Sequence, residues 1–113
     1  DVKHCGGLKE CVTIAESARL RNLLIAPHNP SGPVATVATA HAVSAMSNFL
    51  ILEYAWGEVD WRASLIEPEE PIENGYLTLS DEPGLGYRLN DDVVEAHRRV
   101  VPSAEDSTKV RPT

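Results

Sequence analysis

Two short, uninterrupted apolar runs, Leu23–Ala26 and Phe49–Leu52, constrain the fold of this chain most strongly. Apolar runs of this length between turn signals are typical of strands that are buried on both faces of a parallel sheet. The stretch before each run carries a helical pattern. The first half therefore predicts helices alternating with parallel strands, joined by short right-handed connections.

The helical pattern begins at Leu8 in the first case and at Pro33 in the second, and proline suits the first turn of a helix. Two buried parallel strands cannot form a stable sheet alone, so the strands beside them must come from another part of the polypeptide or from another subunit. The predicted apolar faces consist of Leu8, Cys11, Val12, Ala15 and Ala18 in the first helix and Val34, Val37, Ala38, His41, Ala42 and Ala45 in the second.

The second half has a different pattern, and we divide the chain into 1–66, 67–99 and 100–113. The middle segment starts as an acidic, proline-containing connector, followed by an Asn74-Gly75 turn and a short strand over 76–79. Asn90 can cap a helix over 91–99, with acidic residues in its first turn and arginines in its last. The final segment is polar and is predicted to be a flexible tail.

Charge and composition exclude several functions. The 113 residues include 10 basic and 17 acidic side chains, for a net charge of −7, which argues against a nucleic-acid partner. No apolar run approaches the roughly 20 residues that span a membrane. Cys5 and Cys11 form no secreted disulfide scaffold, so we expect a cytoplasmic location. The chain opens on Asp1 without Met and without a signal peptide, which predicts that it is part of something longer.

Three polar residues, Asp1, His28 and Glu53, are predicted to lie at the carboxyl ends of parallel strands, where functional residues are found in α/β proteins. His28 and Glu53 follow the two apolar runs, and Asp1 would end a third strand if one precedes it. A carboxylate beside an imidazole fixes its tautomer and suits a general base. From the residues alone a plainer interpretation stays open: a loop histidine, a solvated or helix-capping glutamate, and a terminus without function.

The segments that carry these three residues resemble the enolase superfamily. Residues 1–10, 26–33 and 48–53 look like the mandelate racemase subgroup, and most closely like the galactonate dehydratase-like acid-sugar dehydratases. Residues 73–76 and 81–86 are similar to that family's return to its capping domain. The resemblance implies an α/β fold: the C-terminal portion of a modified (β/α)₇β barrel of the TIM type, plus the returning part of an α+β capping domain.

By this resemblance, the three residues are catalytic. His28 takes the proton α to a substrate carboxylate, Asp1 orients the far nitrogen of His28, and Glu53 hydrogen-bonds the carboxylate as an enediolate forms. The family's Mg²⁺ stabilises that enediolate. Its ligands are expected in the preceding part of the enzyme, with none in this segment. His28, Glu53 and Trp56 are the expected substrate-binding residues. For Trp56 and Trp61 packing remains an alternative, and His41 and His97 are expected to be structural or solvated.

The function implied is that of a Mg²⁺-dependent lyase that dehydrates a small-molecule sugar acid, completed by the remainder of the barrel and assembled as a homo-oligomer. This segment alone is expected to be inactive. One alternative is a racemase or epimerase of a 2-hydroxy acid that uses the same dyad. Another is a non-catalytic remnant or binding module.

Overall fold

The computed structural model describes residues 1–99, and the predicted tail at 100–113 lies outside them. Two longer helices occupy the first half, and short paired strands with a final short helix make up the second. The elements are α1 (Leu8–Arg19), α2 (Pro33–Ser44), a 3₁₀ helix (Ala63–Leu65), β1 (Ile66–Glu67), β2 (Ile72–Glu73), β3 (Tyr76–Leu77), β4 (Arg88–Leu89) and α3 (Asp91–Ala96).

Helices α1 and α2 form where the sequence predicts them. Gly7 precedes α1 with φ 99°, a left-handed conformation that favours glycine, and the last turn of the helix carries an Arg19–Glu16 ion pair at 2.8 Å. Gly32 precedes α2 in an extended conformation, and Pro33 occupies the first turn. Both predicted helices are therefore confirmed.

The predicted buried face of α2 is partly wrong. Val37 and Ala42 are buried as expected, but Val34 and Ala45 are exposed. Thr36 and Thr39 are buried instead, and Thr39 returns its hydroxyl to the helix by donating to Ala35 O at 2.7 Å. Because α2 consists largely of small residues, several of its faces allow close packing, and the apolar periodicity does not select among them.

The first core lies between α1 and α2. Its buried members are Val2, Cys11, Ala15, Ala42, Val43 and Met46, with Cys5, Val12 and Ile25 packed against them. Small side chains at the crossing let the helices approach closely. Burial raises the pKa of the Cys11 thiol, with nearby Cys5 adding to the shift, so this cysteine is an inert packing residue.

The two apolar runs lie side by side in parallel, as predicted. Ile25 pairs with Phe49: the Ile25 N–H donates to Asn48 O at 2.8 Å, and the Leu50 N–H donates to Ile25 O at 2.8 Å. Only this one bridge forms, and full strands do not develop over residues 23–26 and 49–52.

The expected burial of these runs on both faces is wrong for the described residues. Leu23, Leu24, Leu50 and Ile51 are each more than half exposed. Each run pairs with the other and gains no second neighbour within residues 1–99. A parallel strand is covered only when further strands and helices lie beside it, so these side chains remain uncovered.

The second half folds around two antiparallel pairs. Strands β2 and β3 form a hairpin in which Asn74 and Gly75 both have positive φ, at 52° and 80°, as a tight two-residue turn requires. Strand β1 pairs with β4, opposing Ile66 to Leu89, and Ile66 is almost completely buried. The predicted strand over 76–79 is shorter than expected, since it ends at Leu77.

Helix α3 begins where predicted and ends early. Asn90 Oδ1 accepts a hydrogen bond from the Val93 N–H at 3.3 Å, which confirms the predicted cap. The helix ends at Ala96, three residues before the expected Arg99, and His97 stacks on Trp61 with ring centroids 4.2 Å apart. None of the helices within residues 1–99 is both long enough and apolar enough to cross a membrane.

Asn48 ties the first core to the paired runs. Its side-chain Nδ2 donates to Ala15 O and to Leu23 O, both at 2.9 Å, and its own carbonyl accepts from Ile25. The residue is buried, and its amide therefore joins the end of α1 and both apolar runs in one place.

Replacing Asn48 by Asp is expected to destabilise the protein strongly. The carboxylate would face two buried carbonyl oxygens without a proton to donate, at a cost of roughly 3 kcal/mol in the free energy of unfolding. Urea denaturation of the longer protein that contains this chain measures this loss. Ser47→Asp places the same charge at the exposed neighbouring position and should change stability by less than about 0.5 kcal/mol. Equal losses in the two variants would contradict the bridging role of Asn48.

Candidate active site

The parallel pairing brings the ends of the two apolar runs to the same edge of the molecule. Beyond the Ile25–Phe49 bridge the segments continue together, and the Glu53 N–H approaches Pro27 O at 3.5 Å. His28 and Glu53 follow at this edge, and Asp1 reaches it from the start of the chain. His28 Nδ1 lies 3.1 Å from Asp1 Oδ2, within hydrogen-bonding distance.

The Asp1 carboxylate is held from several sides, and its side chain is only 5% exposed. Oδ1 accepts the Lys3 backbone N–H at 2.9 Å, while Oδ2 lies 3.6 Å from Lys3 Nζ and 3.9 Å from His4 Nε2. The Lys3 ammonium also donates to the hydroxyl of Ser31. These donors hold the Asp1 carboxylate in place, with Oδ2 positioned to accept a hydrogen bond from the imidazole of His28.

The imidazole of His28 is oriented by this carboxylate and open on its other side. If Nδ1 carries the hydrogen that Asp1 accepts, Nε2 is the basic nitrogen. Nε2 has no hydrogen-bond partner within residues 1–99, and the side chain is 63% exposed. A ring fixed at one nitrogen and accessible at the other can accept a proton from a bound molecule.

Glu53 is tied to the residue that follows His28. Its Oε2 accepts the backbone N–H of Asn29 at 2.8 Å, and its carbonyl oxygen accepts Asn29 Nδ2 at 3.1 Å. Glu53 itself is exposed at the edge, while Asn29 is buried. The segment that follows His28 and the segment that contains Glu53 are therefore hydrogen-bonded to each other at the residue next to His28.

The buried guanidinium of Arg62 holds the loop after His28 in place. Arg62, which is 6% exposed, donates to Ser31 O at 2.6 Å, to Thr36 Oγ1 at 3.0 Å and to both oxygens of Glu70 at 3.1 and 3.2 Å. Thr36 Oγ1 in turn accepts Asn29 Nδ2 at 3.0 Å. The loop after His28, helix α2 and the connector near Glu70 thus share one cation.

Tyr54 completes this polar cluster. Its hydroxyl donates to Glu70 Oε2 at 3.0 Å and accepts from Arg62 Nε at 3.2 Å. Burial raises the pKa of Tyr54; the bond from Arg62 opposes this shift and Glu70 adds to it. Burial acts to lower the pKa of Arg62, but its bonds to Tyr54 and Glu70 outweigh burial and raise it. The tyrosine therefore stays neutral and the arginine charged at ordinary pH.

Trp56 is not brought to the dyad. Its side chain is 84% exposed and lies against Tyr54, with ring centroids 6.2 Å apart. It lines an apolar groove of about 740 Å³ between α2, the second apolar run and the β2–β3 hairpin, and the groove lining does not include Asp1, His28 or Glu53. Trp61 instead packs on His97, and His41 Nε2 bonds Leu85 O at 3.1 Å.

The described residues do not provide a complete magnesium site. Within residues 1–99 no group of three or more His, Cys, Asp or Glu is arranged to bind a metal ion. Both oxygens of Asp1 are engaged by Lys3 and His28, and Glu53 Oε2 is engaged by Asn29. These residues alone therefore do not fit the ion.

Four residues of this edge and its support, Asn29, Arg62, Glu70 and Lys3, were not predicted from the sequence. Asn29 lies within a segment already singled out, directly after His28, and its polar side chain between two prolines was the available signal. Arg62 and Glu70 lie in a charged region where exposed side chains are the norm, and sequence alone gives no sign that this pair is buried.

The structure thus brings an imidazole–carboxylate pair and a second carboxylate together at the ends of two parallel segments. Comparison with known proteins identifies the family. The family described as "Enolase C-terminal domain-like" matches residues 1–93. D-xylonate dehydratase of Haloferax volcanii is 38% identical over 97 residues, which cover 86% of this chain and 24% of the relative. Arabinonate dehydratase of Saccharolobus solfataricus is 30% identical, over 87% and 26% respectively.

Solved structures give the same picture. A mandelate racemase/muconate lactonizing enzyme-like protein from Rubrobacter xylanophilus matches with a TM-score of 0.80 and 39% identity, covering 85% of this chain and 25% of that one. An enzyme of this type from Jannaschia sp. matches with a TM-score of 0.75 and 34% identity, covering 86% of this chain and 25% of that one.

This chain belongs to the enolase C-terminal domain-like family, and it spans about a quarter of the length of the relatives it matches. The resemblance to the enolase superfamily and its acid-sugar dehydratases is confirmed. The predicted fold class, a portion of an enolase-superfamily barrel, is confirmed as well. Members of this superfamily typically bind Mg²⁺.

Replacing Glu70 by Gln is expected to lower the free energy of unfolding by roughly 3 kcal/mol, because Arg62 loses its buried counter-ion and keeps only the exposed Glu58 carboxylate, 3.7 Å away. Chemical denaturation of the longer protein that contains this chain measures the change. Glu69→Gln removes a charge one residue earlier, at an exposed position, and is expected to cost less than about 0.5 kcal/mol. A small effect at Glu70 would mean that the guanidinium is not supported by this pair.

Proposed function

We propose that this chain is the C-terminal part of a Mg²⁺-dependent acid-sugar dehydratase. The intact enzyme is then this chain together with the preceding part of the barrel. The observation that carries the proposal is the 3.1 Å contact between His28 Nδ1 and Asp1 Oδ2. Glu53 lies beside this pair because its carboxylate accepts the backbone N–H of Asn29, the residue after His28. Relatives named as xylonate, galactonate and arabinonate dehydratases support the substrate class.

In the proposed reaction His28 is the base. Asp1 accepts the Nδ1 hydrogen and leaves Nε2 to take the proton from the carbon α to the substrate carboxylate. The C–H electron pair moves into the carboxylate and forms an enediolate. Collapse of the enediolate then breaks the bond from the β-carbon to its hydroxyl, which takes a proton and leaves as water. The paired Asp1 also stabilises the imidazolium that His28 becomes.

Glu53 stabilises the charge that develops on the substrate. A carboxylic acid group placed beside the substrate carboxylate can donate a hydrogen bond that strengthens as the enediolate forms. Mg²⁺ supplies Lewis-acid stabilisation of the same charge when it is bound. We assign its ligands, and the acid that assists departure of the hydroxyl, to the preceding part of the enzyme.

The remaining assignments complete this proposal. Residues 1–66 form the last barrel strands and helices, and 67–99 return to the capping domain. Trp56, on the exposed loop that follows Glu53, is proposed to contact the substrate from the apolar groove that it lines, a groove that Asp1 and His28 do not line. The small-molecule substrate is a sugar acid, the enzyme is a cytoplasmic homo-oligomer, and this chain alone is inactive.

A racemase or epimerase is the second candidate, favoured by the structural neighbours of the mandelate racemase/muconate lactonizing type. The same dyad would take the α-proton, and a base on the opposite face would return one. The product separates the two: dehydration yields a 2-oxo acid and water, whereas racemisation yields the inverted 2-hydroxy acid. Incubating the intact enzyme with D-xylonate, D-galactonate and arabinonate, with product detection by NMR, decides between them.

His28→Asn in the intact enzyme is expected to abolish exchange of the substrate α-proton with solvent deuterium, lowering its rate by roughly 10³-fold or more, because the base is lost. Magnesium binding should survive, since the ligands lie elsewhere. NMR of the acid sugar in D₂O follows exchange, and calorimetry follows the metal. His97→Asn, a histidine stacked on Trp61, is the matched control and should exchange normally. Exchange retained in His28→Asn contradicts the assignment of the base.

The chain expressed alone is expected to aggregate or to melt without cooperativity. The reason is the exposed Leu23, Leu24, Leu50 and Ile51, which present an uncovered parallel pair. Size-exclusion chromatography and calorimetry of the isolated chain provide the measurement. A monomer with a sharp melting transition would favour the alternative that this chain is an independent binding module.

A further inference from the structure

Asn29 is buried, and its hydrogen-bond donors bind Glu53 and Thr36. Its backbone N–H binds Glu53 Oε2 at 2.8 Å, and its Nδ2 binds both Glu53 O at 3.1 Å and Thr36 Oγ1 at 3.0 Å. The residue is 1% exposed. It therefore holds Glu53 at both the side chain and the backbone.

The amide of Asn29 is used only for its nitrogen. Its Oδ1 is buried and has no hydrogen-bond partner within the described part of the chain. Both hydrogens of Nδ2 are engaged, one by Glu53 O and one by Thr36 Oγ1, so the donors of this amide are the groups that fix the side chain against Glu53.

The contact to Glu53 distinguishes its two oxygens. Oε2 receives the Asn29 N–H, which leaves Oε1 as the oxygen available to a bound molecule. We propose that Asn29 is a positioning residue that fixes Glu53 with Oε1 as the oxygen that faces the substrate carboxylate. This inference rests on the proposed function and assigns a role to a residue that does not touch the substrate.

The anchor of Asn29 extends into the buried cluster. Thr36 Oγ1 accepts from both Asn29 Nδ2 and Arg62 Nη2, each at 3.0 Å, and Arg62 is paired with Glu70. A side chain whose partner is held by a buried ion pair has little rotational freedom. The orientation of Glu53 is therefore set by contacts that lie beneath the active edge.

A kinetic double-variant cycle in the intact enzyme tests the positioning role. Asn29→Asp keeps the shape but replaces the donor by a carboxylate, and we expect kcat to fall roughly 10–100-fold, with KM changing less than about threefold. If Asn29 acts through Glu53, adding Asn29→Asp to Glu53→Ala produces no further loss. Asn22→Asp, the same change at an exposed turn position three residues after the end of α1, is the control and should retain wild-type kinetics.

The wild type, the two single variants and the double variant are also compared by thermal denaturation, which does not depend on activity. In Asn29→Asp a carboxylate replaces the donor that faces Glu53 O, so the melting midpoint should drop by roughly 2–4 °C or more, and by a similar amount when residue 53 is Ala, because the backbone oxygen is still present. An unchanged midpoint in Asn29→Asp overturns the contact, and kcat losses that multiply in the cycle overturn the positioning role. If the wild-type enzyme exchanges no α-proton, the proposed function fails, and the positioning contact is then judged by the midpoints alone.

Discussion

A buried guanidinium organises the part of this molecule where chemistry is proposed. Arg62 is withdrawn from water and remains charged, so its hydrogens must all be directed at acceptors within the protein. Those acceptors come from the loop after His28, from helix α2 and from the connector that carries Glu70. One side chain thus sets the relative position of three segments, and the geometry of the active edge depends on that position.

The edge that carries His28 and Glu53 is formed by the parallel pairing of two segments. The Ile25–Phe49 bridge aligns two segments so that both deliver their next polar residues to the same side. Packing of α1 on α2 through small side chains holds the pair, and Asn48 joins α1 to it. Within the described residues the fold therefore positions His28 and Glu53 at one edge. Many of its large apolar side chains remain exposed.

Local patterns predicted much of this structure. Helices α1 and α2, the Asn74-Gly75 turn and the Asn90 cap depend on neighbours within a few residues, and the sequence shows them directly. The parallel relation of the two apolar runs also followed from their pattern. The pairing of β1 with β4 and the burial of Arg62 with Glu70 depend on residues far apart along the chain, and no local signal specifies them. The exposure of Leu23 and Leu50 was mispredicted because burial depends on what lies beside a strand as well as on its composition.

The adjacency of His28 and Asn29 has a mechanical meaning. The proposed base and the residue that binds Glu53 are joined by one peptide bond, so a displacement of this backbone segment moves the imidazole and the anchor of Glu53 together. Under the proposed function, this segment can stay the same while residues elsewhere in the enzyme determine which substrate is bound.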